Sequence, residues 1–275
     1  MSQSKPIQLV LSWGAMRWLA HIGIIKRLVE HKYHIWAISG SSAGAVIGLC
    51  VCAGIPINEI IDILTQVKLR DLLKFDINKS GLMSLDNIAN LISQYIKIDR
   101  IENLPIPLYV STTSLTTWLN MIRHTGDVIP IIKWSCSIPV SFQTIKYDHH
   151  ILVDGGVTNN FPIEPFLDKR DLYRWNDGTQ TEPYLWRSHA SHNIIIWIDV
   201  NPYKWIRNNK ITEIVPKSIS LSVQQAFIYK RHLCDHWIQP SKLQSIKLFD
   251  TINPAYIINI GYQEAQKKRW NTGIL

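Results

Sequence analysis

The chain opens with short apolar runs that alternate with a stretch of helical periodicity. Residues 7–11 and 35–38 are largely apolar, which is the pattern of strands buried on both faces of a parallel sheet. Between them, apolar residues recur at helical spacing over residues 19–30, with charged residues in the gaps. This spacing predicts an amphipathic helix. The order strand, helix, strand predicts a parallel crossover unit at the start of the chain.

The same patterns continue through the rest of the sequence. Helical spacing and apolar runs predict helices over residues 57–67, 85–96, 128–135 and 215–229, and strands over 105–113, 118–122, 151–153 and 193–200. A polar segment at 170–192 is typical of a long surface excursion or lid. We therefore predict one α/β domain in three layers, α/β/α, around a mostly parallel central sheet. Residues 5–200 would form this domain, and residues 201–275 a helical and strand extension packed on it.

The turn after the second predicted strand is the most informative stretch of the chain. The strand at 35–38 is followed by Gly-Ser-Ser-Ala-Gly at 40–44 and then by a small-residue apolar stretch that predicts a buried helix. A G-x-S-x-G sequence in this setting is typical of a nucleophile elbow, in which Gly40 and Gly44 allow a tight backbone. The N–H groups at the helix start point toward whatever Ser42 attacks. Ser42 is therefore a candidate nucleophile, and a Gly/Ser turn without chemistry is the alternative.

A candidate base lies at the end of a later predicted strand. Asp154 directly follows the strand at 151–153, and Gly155 and Gly156 then allow a sharp turn. A nucleophilic serine needs a base. Strand ends on one side of a parallel sheet meet at one crevice, so we expect Ser42 and Asp154 to face each other there. An ordinary β-turn is the alternative for this segment alone.

Charge and composition narrow the class of partner. The chain has 275 residues and a net charge of +8, which favours an anionic partner such as a phospholipid surface or a nucleic acid. No nucleic-acid-binding module is recognisable, so we expect no nucleic-acid partner. The segments at 204–210 and 267–270 mix cations with tryptophan. Solvated surface is the default for them, and contact with an anionic membrane surface is the alternative.

The sequence also indicates where the protein resides. No signal-peptide core precedes the first strand, and the most apolar window, residues 43–57, is too short to span a bilayer. The four cysteines show no C-x-x-C spacing, which is typical of reduced thiols in a cytosolic protein. We therefore expect a cytoplasmic protein without a transmembrane helix, able to make peripheral contact with a membrane.

Four stretches together resemble the patatin-like phospholipase family. They are residues 11–23, 40–44, 135–139 and 152–162. In order, they are similar to the family's glycine-rich oxyanion loop with its following helix, its nucleophile elbow, the segment before its last catalytic strand, and its D-G-[AG] motif. The ordered combination, which covers roughly residues 5–200, is far more specific than any single motif.

The resemblance implies a catalytic dyad of serine and aspartate without a histidine. Carried over, Ser42 attacks the acyl carbonyl, and Asp154 takes its proton and then activates the water that releases the fatty acid. The implied substrate is a phospholipid or another acyl lipid, with no metal and no organic cofactor. Backbone N–H groups of the implied oxyanion loop would hold the developing charge; that loop consists of Trp13, Gly14, Ala15, Met16, Arg17 and Trp18.

This loop departs from the glycine-rich pattern of the family. Only Gly14 and Arg17 match, while Trp13 and Trp18 stand at glycine positions, and Trp118 occupies a glycine-like position in a later turn. Bulky residues at these positions are the reason for an alternative function, a catalytically impaired patatin-fold protein that binds lipid or a partner. A second explanation is an unusual codon assignment, because glycine and tryptophan codons can differ by one base.

Histidines raise two further hypotheses. A formal Ser-Asp-His triad in α/β-hydrolase order is available from the histidines that follow Asp154, which are His189, His192, His232 and His236. The scarcity of sheet before the elbow argues against it. His189 with His192 and His232 with His236 have spacings that also occur in metal sites. No set of glutamates or cysteines accompanies these pairs, so we expect no metal site.

Overall fold

A computed structural model describes most of the chain. The described residues are 5–66, 84–139, 141–142, 145–167, 194–202, 230–246 and 253–268, together with Ile214, Ser218, Leu221, Val223 and Gln224. The predicted lid at 170–192 and the basic segment at 204–210 lie outside these residues, as do most of the predicted helix at 215–229 and the end of the basic segment at 267–270.

Eight strands of the described residues form one sheet. In chain order they are β1 (Lys5–Leu11), β2 (Tyr33–Ser41), β3 (Leu108–Ser114), β4 (Leu119–Arg123), β5 (Ile145–Tyr147), β6 (His150–Asp154), β7 (Ile194–Ile198) and β8 (His236–Ile238). The spatial order is β5-β6-β3-β2-β1-β7-β8, with β4 paired to β3. The pairs β1–β2, β2–β3, β1–β7 and β7–β8 are parallel, whereas β4, β5 and β6 join through antiparallel pairs. The predicted α/β class with a mostly parallel central sheet is confirmed.

Six α-helices with described bounds flank this sheet. They are α1 (Leu19–Glu30), α2 (Ala43–Cys52), α3 (Ile57–Gln66), α4 (Asp86–Tyr95), α5 (Val128–Ser135) and α6 (Pro254–Lys267). The helices predicted at 19–30, 57–67, 85–96 and 128–135 are confirmed to within a residue at each end. The sequence patterns did not predict α6 or the short strands β5 and β8.

Both faces of the sheet are buried. Along β1, Leu9 and Leu11 pack into the large core with residues of α1, α2 and α6. Val10 lies in a separate cluster with Phe161 and Trp197. Successive side chains of a strand point to opposite faces, so burial on both sides explains why the first strand reads as a nearly continuous apolar run.

The C-terminal part of the chain completes the sheet and covers α1. β8 adds an edge strand next to β7, and α6 packs along α1. The Tyr262 hydroxyl donates to Glu30 Oε2 at 2.7 Å, and the Arg27 guanidinium lies 5.7 Å from the centre of the Tyr262 ring. The division of the chain at residue 200 stays a prediction.

Three strands bring two predicted site residues to one level of the sheet. Ser41 at the end of β2 pairs with Ser111 of β3, and Asp154 at the end of β6 pairs with Thr112 of β3. Ser42 directly follows Ser41, so the elbow and Asp154 lie at the same level on the two sides of β3. The expectation that both follow parallel strands is wrong, because β6 runs antiparallel to β3. The residues are level because β6 ends opposite Thr112 while β3 runs on to Ser114.

The turn between β3 and β4 contains a strained tryptophan. Trp118 has a φ of 64°, and its N–H donates to Ser114 O at 2.9 Å. Its side chain is 87% exposed, so it gains little from packing. A left-handed conformation costs a residue with a Cβ about 1–2 kcal/mol, whereas glycine adopts it freely.

We expect Trp118→Gly to raise the free energy of unfolding by about 1 kcal/mol, because relief of this strain exceeds the entropy that glycine adds to the unfolded chain. Urea denaturation at constant pH measures the change. Leu115→Gly is the control, since Leu115 lies in the same turn and is also exposed, at 46%, but is not among the residues with positive φ. The control should lose stability. A loss in Trp118→Gly as well would contradict the strain argument.

Candidate active site

Ser42 occupies a sharp turn between β2 and α2. Its backbone has φ 53° and ψ −123°, a combination that is uncommon for a residue with a side chain and that clusters at functional sites. The turn needs glycine at position 44, because a Cβ there would lie 2.6 Å from the carbonyl oxygens of Leu11 and Ser12. The elbow therefore rests directly on the backbone that follows β1, and the predicted strand–turn–helix geometry is present.

A serine on α5 holds the backbone of the elbow. Ser42 N–H donates to Ser135 Oγ at 2.8 Å, and Ser135 Oγ in turn donates to Ser111 O at 2.7 Å. All three residues are buried. This relay ties α5 and β3 to the turn, so that Ser42 is held at a fixed position above the sheet.

Asp154 is a buried carboxyl group next to Ser42. Its Oδ1 accepts the Gly156 N–H at 2.7 Å, and its Oδ2 has no hydrogen-bond partner. Burial raises the pKa of Asp154 to about 7, against the smaller opposing effects of the Ser42 hydroxyl and the Gly156 N–H. The hydroxyl is thus close enough to stabilise the carboxylate although no aligned hydrogen bond joins them. A carboxyl group with this pKa and a free oxygen is suited to accept a proton near neutral pH.

The turn after Asp154 fits closely over β3. A Cβ on Gly155 would lie 2.2 Å from Ser111 O, so a side chain at this position would push the turn off the strand. Gly156 supplies the N–H that Asp154 accepts. Glycine is therefore needed at position 155 for steric reasons, in addition to the turn conformation that the sequence predicts for residues 155 and 156.

The loop after β1 lies between the elbow and the Asp154 turn. Trp13 N–H donates to Asn160 Oδ1 at 2.7 Å, and Arg17 N–H donates to Gly14 O at 2.9 Å as Ala15–Trp18 forms a 3-10 turn. The backbone N–H groups of Gly14 and Met16 have no protein acceptor among the described residues. These two amides are available as donors for an oxyanion.

The other loop residues point elsewhere. The Arg17 guanidinium donates to Ile246 O from Nε at 2.9 Å and from Nη2 at 2.6 Å, so it fastens the loop to the C-terminal part of the chain. The Trp13 side chain packs against Gly156, where a Cβ would lie 3.1 Å from Trp13 Cγ. Trp18 lines an apolar channel.

This channel begins at the elbow and has almost no polar lining. It encloses about 1000 Å³, part of it open to solvent, and Ser42 is one of its lining residues. Its walls come from the loop, α2, α3, α4 and the segment after α5, and include Met16, Val46, Cys50, Ile60, Leu64, Ile88, Ile92, Tyr95, Ile138 and Phe142. Cys136 also lines it, and burial raises the pKa of this thiol. The channel therefore presents a neutral, apolar surface next to the candidate nucleophile.

Several residues that support the site were not predicted from the sequence. Ser135, Asn160 and Asn201 each bond to a backbone group of the elbow or the loop. His21 bonds through Nε2 to Ser12 O at 2.9 Å, and burial lowers its pKa to about 4, so it is a neutral donor that holds the start of the loop. Only the position of these polar residues at strand and helix ends could have pointed to them.

The predicted alternatives that involve histidine are placed as follows. His236 lies on β8, three strands from β2, which is about 14 Å, and His232 lies in the turn just before β8. His189 and His192 lie outside the described residues. Within the described ranges, no three side chains of His, Cys, Asp or Glu converge as metal ligands.

Comparison with known families gives the class of protein. Residues 9–167 match the family model described as patatin-like phospholipase, which is more than half of the 275 residues. The chain belongs to the patatin-like phospholipase family. The resemblance carried by the four motifs is thus confirmed, and membership of the family supports lipid ester hydrolysis as the general class of activity.

Individual relatives agree with this assignment. An uncharacterized NTE family protein of Mycobacterium tuberculosis is 32% identical over 167 residues, which cover 60% of this chain and 46% of that protein. A probable lipid hydrolase of invertebrate iridescent virus 6 is 29% identical over 178 residues, covering 57% of this chain and 61% of that protein. The chain thus spans only part of the curated relatives it matches, about half in the mycobacterial case.

A solved structure shows the shared fold. VipD from Legionella pneumophila matches with a TM-score of 0.57 over 94% of this chain and 66% of VipD, at 14% identity. None of the helices in the described part of this family member has the length and apolar character needed to cross a membrane.

Proposed function

We propose that the protein is a serine lipid acyl hydrolase that cleaves acyl ester bonds with a dyad of Ser42 and Asp154. The observation that carries this proposal is the meeting of a strained serine and a buried carboxyl group of raised pKa at the wall of an apolar channel. Membership of the patatin-like family supports the same class of reaction.

The reaction begins with proton transfer from Ser42 to Asp154. Ser42 Oγ attacks the acyl carbonyl carbon as Asp154 Oδ2, which has no other partner, takes the hydroxyl proton. The charge that develops on the carbonyl oxygen is stabilised by the free N–H groups of Gly14 and Met16. Asp154 then gives the proton to the departing alcohol, and the acyl group remains on Ser42.

Water completes the cycle by the same groups in reverse. Asp154 takes a proton from a water molecule, which attacks the acyl-serine ester, and Ser42 recovers its proton as the fatty acid leaves. The acyl chain occupies the apolar channel, where its burial supplies binding energy of about 0.8 kcal/mol per methylene group. The substrate is therefore a phospholipid or another acyl lipid, and the net charge of +8 favours an anionic membrane as its source.

Fatty-acid release from phospholipid vesicles tests the proposal directly. A series of p-nitrophenyl esters of increasing chain length adds a second measurement, and we expect KM to fall as the chain lengthens into the channel. No release above the uncatalysed rate from any of these substrates would contradict the proposed activity.

A second candidate function rests on the tryptophans of the loop. Trp13 packs against Gly156 beside Asp154, and Trp18 lines the channel, so the site would bind an acyl chain with impaired catalysis. The two functions differ in covalent labelling of Ser42 by a fluorophosphonate probe. Labelling supports the hydrolase. Absence of labelling together with tight binding of a fluorescent fatty acid supports a lipid-binding protein.

A further inference from the structure

Two buried asparagines bond to the backbone of residue 13 from opposite sides. Asn160 and Asn201 are 1% and 4% exposed. Trp13 N–H donates to Asn160 Oδ1 at 2.7 Å, and Asn201 Nδ2 donates to Trp13 O at 2.5 Å. The roles of the two amides are fixed, because a backbone N–H only donates and a backbone carbonyl only accepts.

The bond to Trp13 O also sets the direction of the next N–H group. Trp13 O accepts a second hydrogen bond from Ser12 Oγ at 2.9 Å, so this carbonyl is held by two donors. In a trans peptide the carbonyl and the following N–H point in opposite directions. Because Trp13 O is held toward Asn201, the Gly14 N–H points away from Asn201 and Ser12. This N–H has no acceptor in the described part of the chain.

A buried carboxyl group orients Asn201. Asp199 Oδ1 accepts the Asn201 N–H at 2.9 Å and Asn201 Nδ2 at 3.4 Å, while Oδ2 accepts Gln239 Nε2 at 2.6 Å. Asp199 lies just after β7, next to β1 in the sheet. Asn160 comes from the other side, six residues after Asp154. The loop is thus held between two elements that also build the two flanks of the site.

We propose that Asn160 and Asn201, the latter oriented by Asp199, are positioning residues that hold the Trp13 backbone so that the Gly14 N–H points at the acyl oxygen in the transition state. This proposal rests on the proposed hydrolase function. Neither asparagine touches the reacting atoms; they act through the backbone that lies between them. The arrangement also explains how a loop with few glycines keeps a defined oxyanion-binding conformation.

The same isosteric substitution gives different results at the two positions. Asn160→Asp keeps an acceptor for Trp13 N–H, so at a pH high enough to ionise Asp154 it should retain more of the wild-type kcat than Asn201→Asp does. Asn201→Asp removes the Nδ2 donor and, once ionised, places a carboxylate against Trp13 O and next to Asp199. At a pH high enough to ionise this carboxyl, kcat should fall about 10²- to 10³-fold with KM unchanged, the range expected for a misplaced or lost oxyanion donor. In Asn160→Ala, which removes the acceptor for Trp13 N–H, kcat should fall by a similar factor.

A transition-state analogue separates positioning from general damage. The affinity for a trifluoromethyl ketone, which forms a tetrahedral adduct, should fall with kcat/KM in Asn201→Asp, while the affinity for the fatty-acid product is unchanged. Asn159→Asp is the control, because Asn159 is 3% exposed and adjacent in sequence but donates to Glu164 at 3.0 Å. It should lose stability in thermal unfolding and keep its kcat.

Two results would overturn the proposal. One is wild-type kcat in both Asn201→Asp and Asn160→Ala; the other is equal loss in Asn160→Asp and Asn201→Asp. If the wild-type protein releases no fatty acid, the proposed function fails. Hydrogen exchange then still tests whether Asn160 and Asn201 hold the Trp13 backbone. The Trp13 amide must then exchange at least about tenfold faster in Asn160→Ala than in wild type, because it has lost its buried acceptor.

Discussion

Ser42→Ala is expected to lower kcat by a factor of about 10⁴ or more, because removal of the nucleophile of a catalytic dyad leaves only binding and oxyanion stabilisation. The backbone of the elbow should remain intact, since it is held by the bond from Ser42 N–H to Ser135 Oγ. KM for a p-nitrophenyl ester should therefore change little. Labelling by a fluorophosphonate should disappear with the activity.

Ser41→Ala is the matched control for this variant. Ser41 is adjacent and fully buried, and its Oγ has no hydrogen-bond partner. Its removal should leave kcat within about twofold and leave stability unchanged or slightly higher, since an unpaired buried hydroxyl is unfavourable. Equal rates in wild type and Ser42→Ala would exclude Ser42 as the nucleophile. Equal loss in both variants would point to a packing effect.

Asp154→Asn is expected to lower kcat about 10³-fold, because an amide cannot accept the Ser42 proton. In the wild-type protein, kcat/KM should rise with pH and level off above the pKa of about 7 that burial gives Asp154. The variant should show no rise around this pH. A pH profile of p-nitrophenyl ester hydrolysis checks both statements, and a wild-type profile that is flat from pH 5 to pH 9 would contradict the role of Asp154.

The same substitution is expected to stabilise the protein at alkaline pH. Burial raises the pKa of Asp154 from its ordinary 3.8 to about 7 in the folded state, so folding disfavours the ionised form. The free energy of unfolding is therefore not lowered by Asp154 below about pH 4, where the group is protonated in both states. It falls as the pH rises from about 4 to about 7, because only the unfolded chain then ionises the group readily. At pH 8 the loss is of the order of 4 kcal/mol, since one pKa unit corresponds to about 1.4 kcal/mol.

Urea denaturation at pH 8 and at pH 4 measures this effect. The free energy of unfolding of Asp154→Asn should exceed that of wild type by a few kcal/mol at pH 8, and the difference should shrink toward pH 4. Asp62→Asn, on the exposed side of α3, should show no such gain. A variant that is less stable than wild type at pH 8 would show that Asp154 is favourably ionised in the fold, against the desolvation argument. Gain of stability with loss of activity is the expected signature of a catalytic carboxyl group.

The sequence predicted the local parts of this protein well, because they depend on neighbouring residues. Apolar runs and helical spacing located β1, β2, α1, α3 and α5, since hydrophobic burial acts with the period of each element. The two glycines around Ser42 and the pair after Asp154 indicated tight turns for steric reasons that the close contacts of Gly44 and Gly155 bear out. Four motifs in order were enough to indicate the family.

The parts that depend on contacts between distant residues needed the tertiary structure. No local pattern shows that β6 runs antiparallel and ends level with Ser42, or that α3 and α4 line a channel beside it. The polar partners are equally hidden, since Asn201 is 188 positions from the carbonyl it holds. Burial shifts the pKa of Asp154 only once the surrounding chain has folded.

Residue patterns alone thus predicted most of the elements, the elbow at Ser42 and the candidate pair with Asp154. The tertiary structure decided which amides of the loop at 13–18 remain free, because that depends on hydrogen bonds made by side chains far along the chain. It also decided that Trp118 carries backbone strain, since a φ angle is fixed by the hairpin as a whole. Strand order and long-range hydrogen bonds are collective properties of the folded chain, and residue patterns along the sequence do not encode them locally.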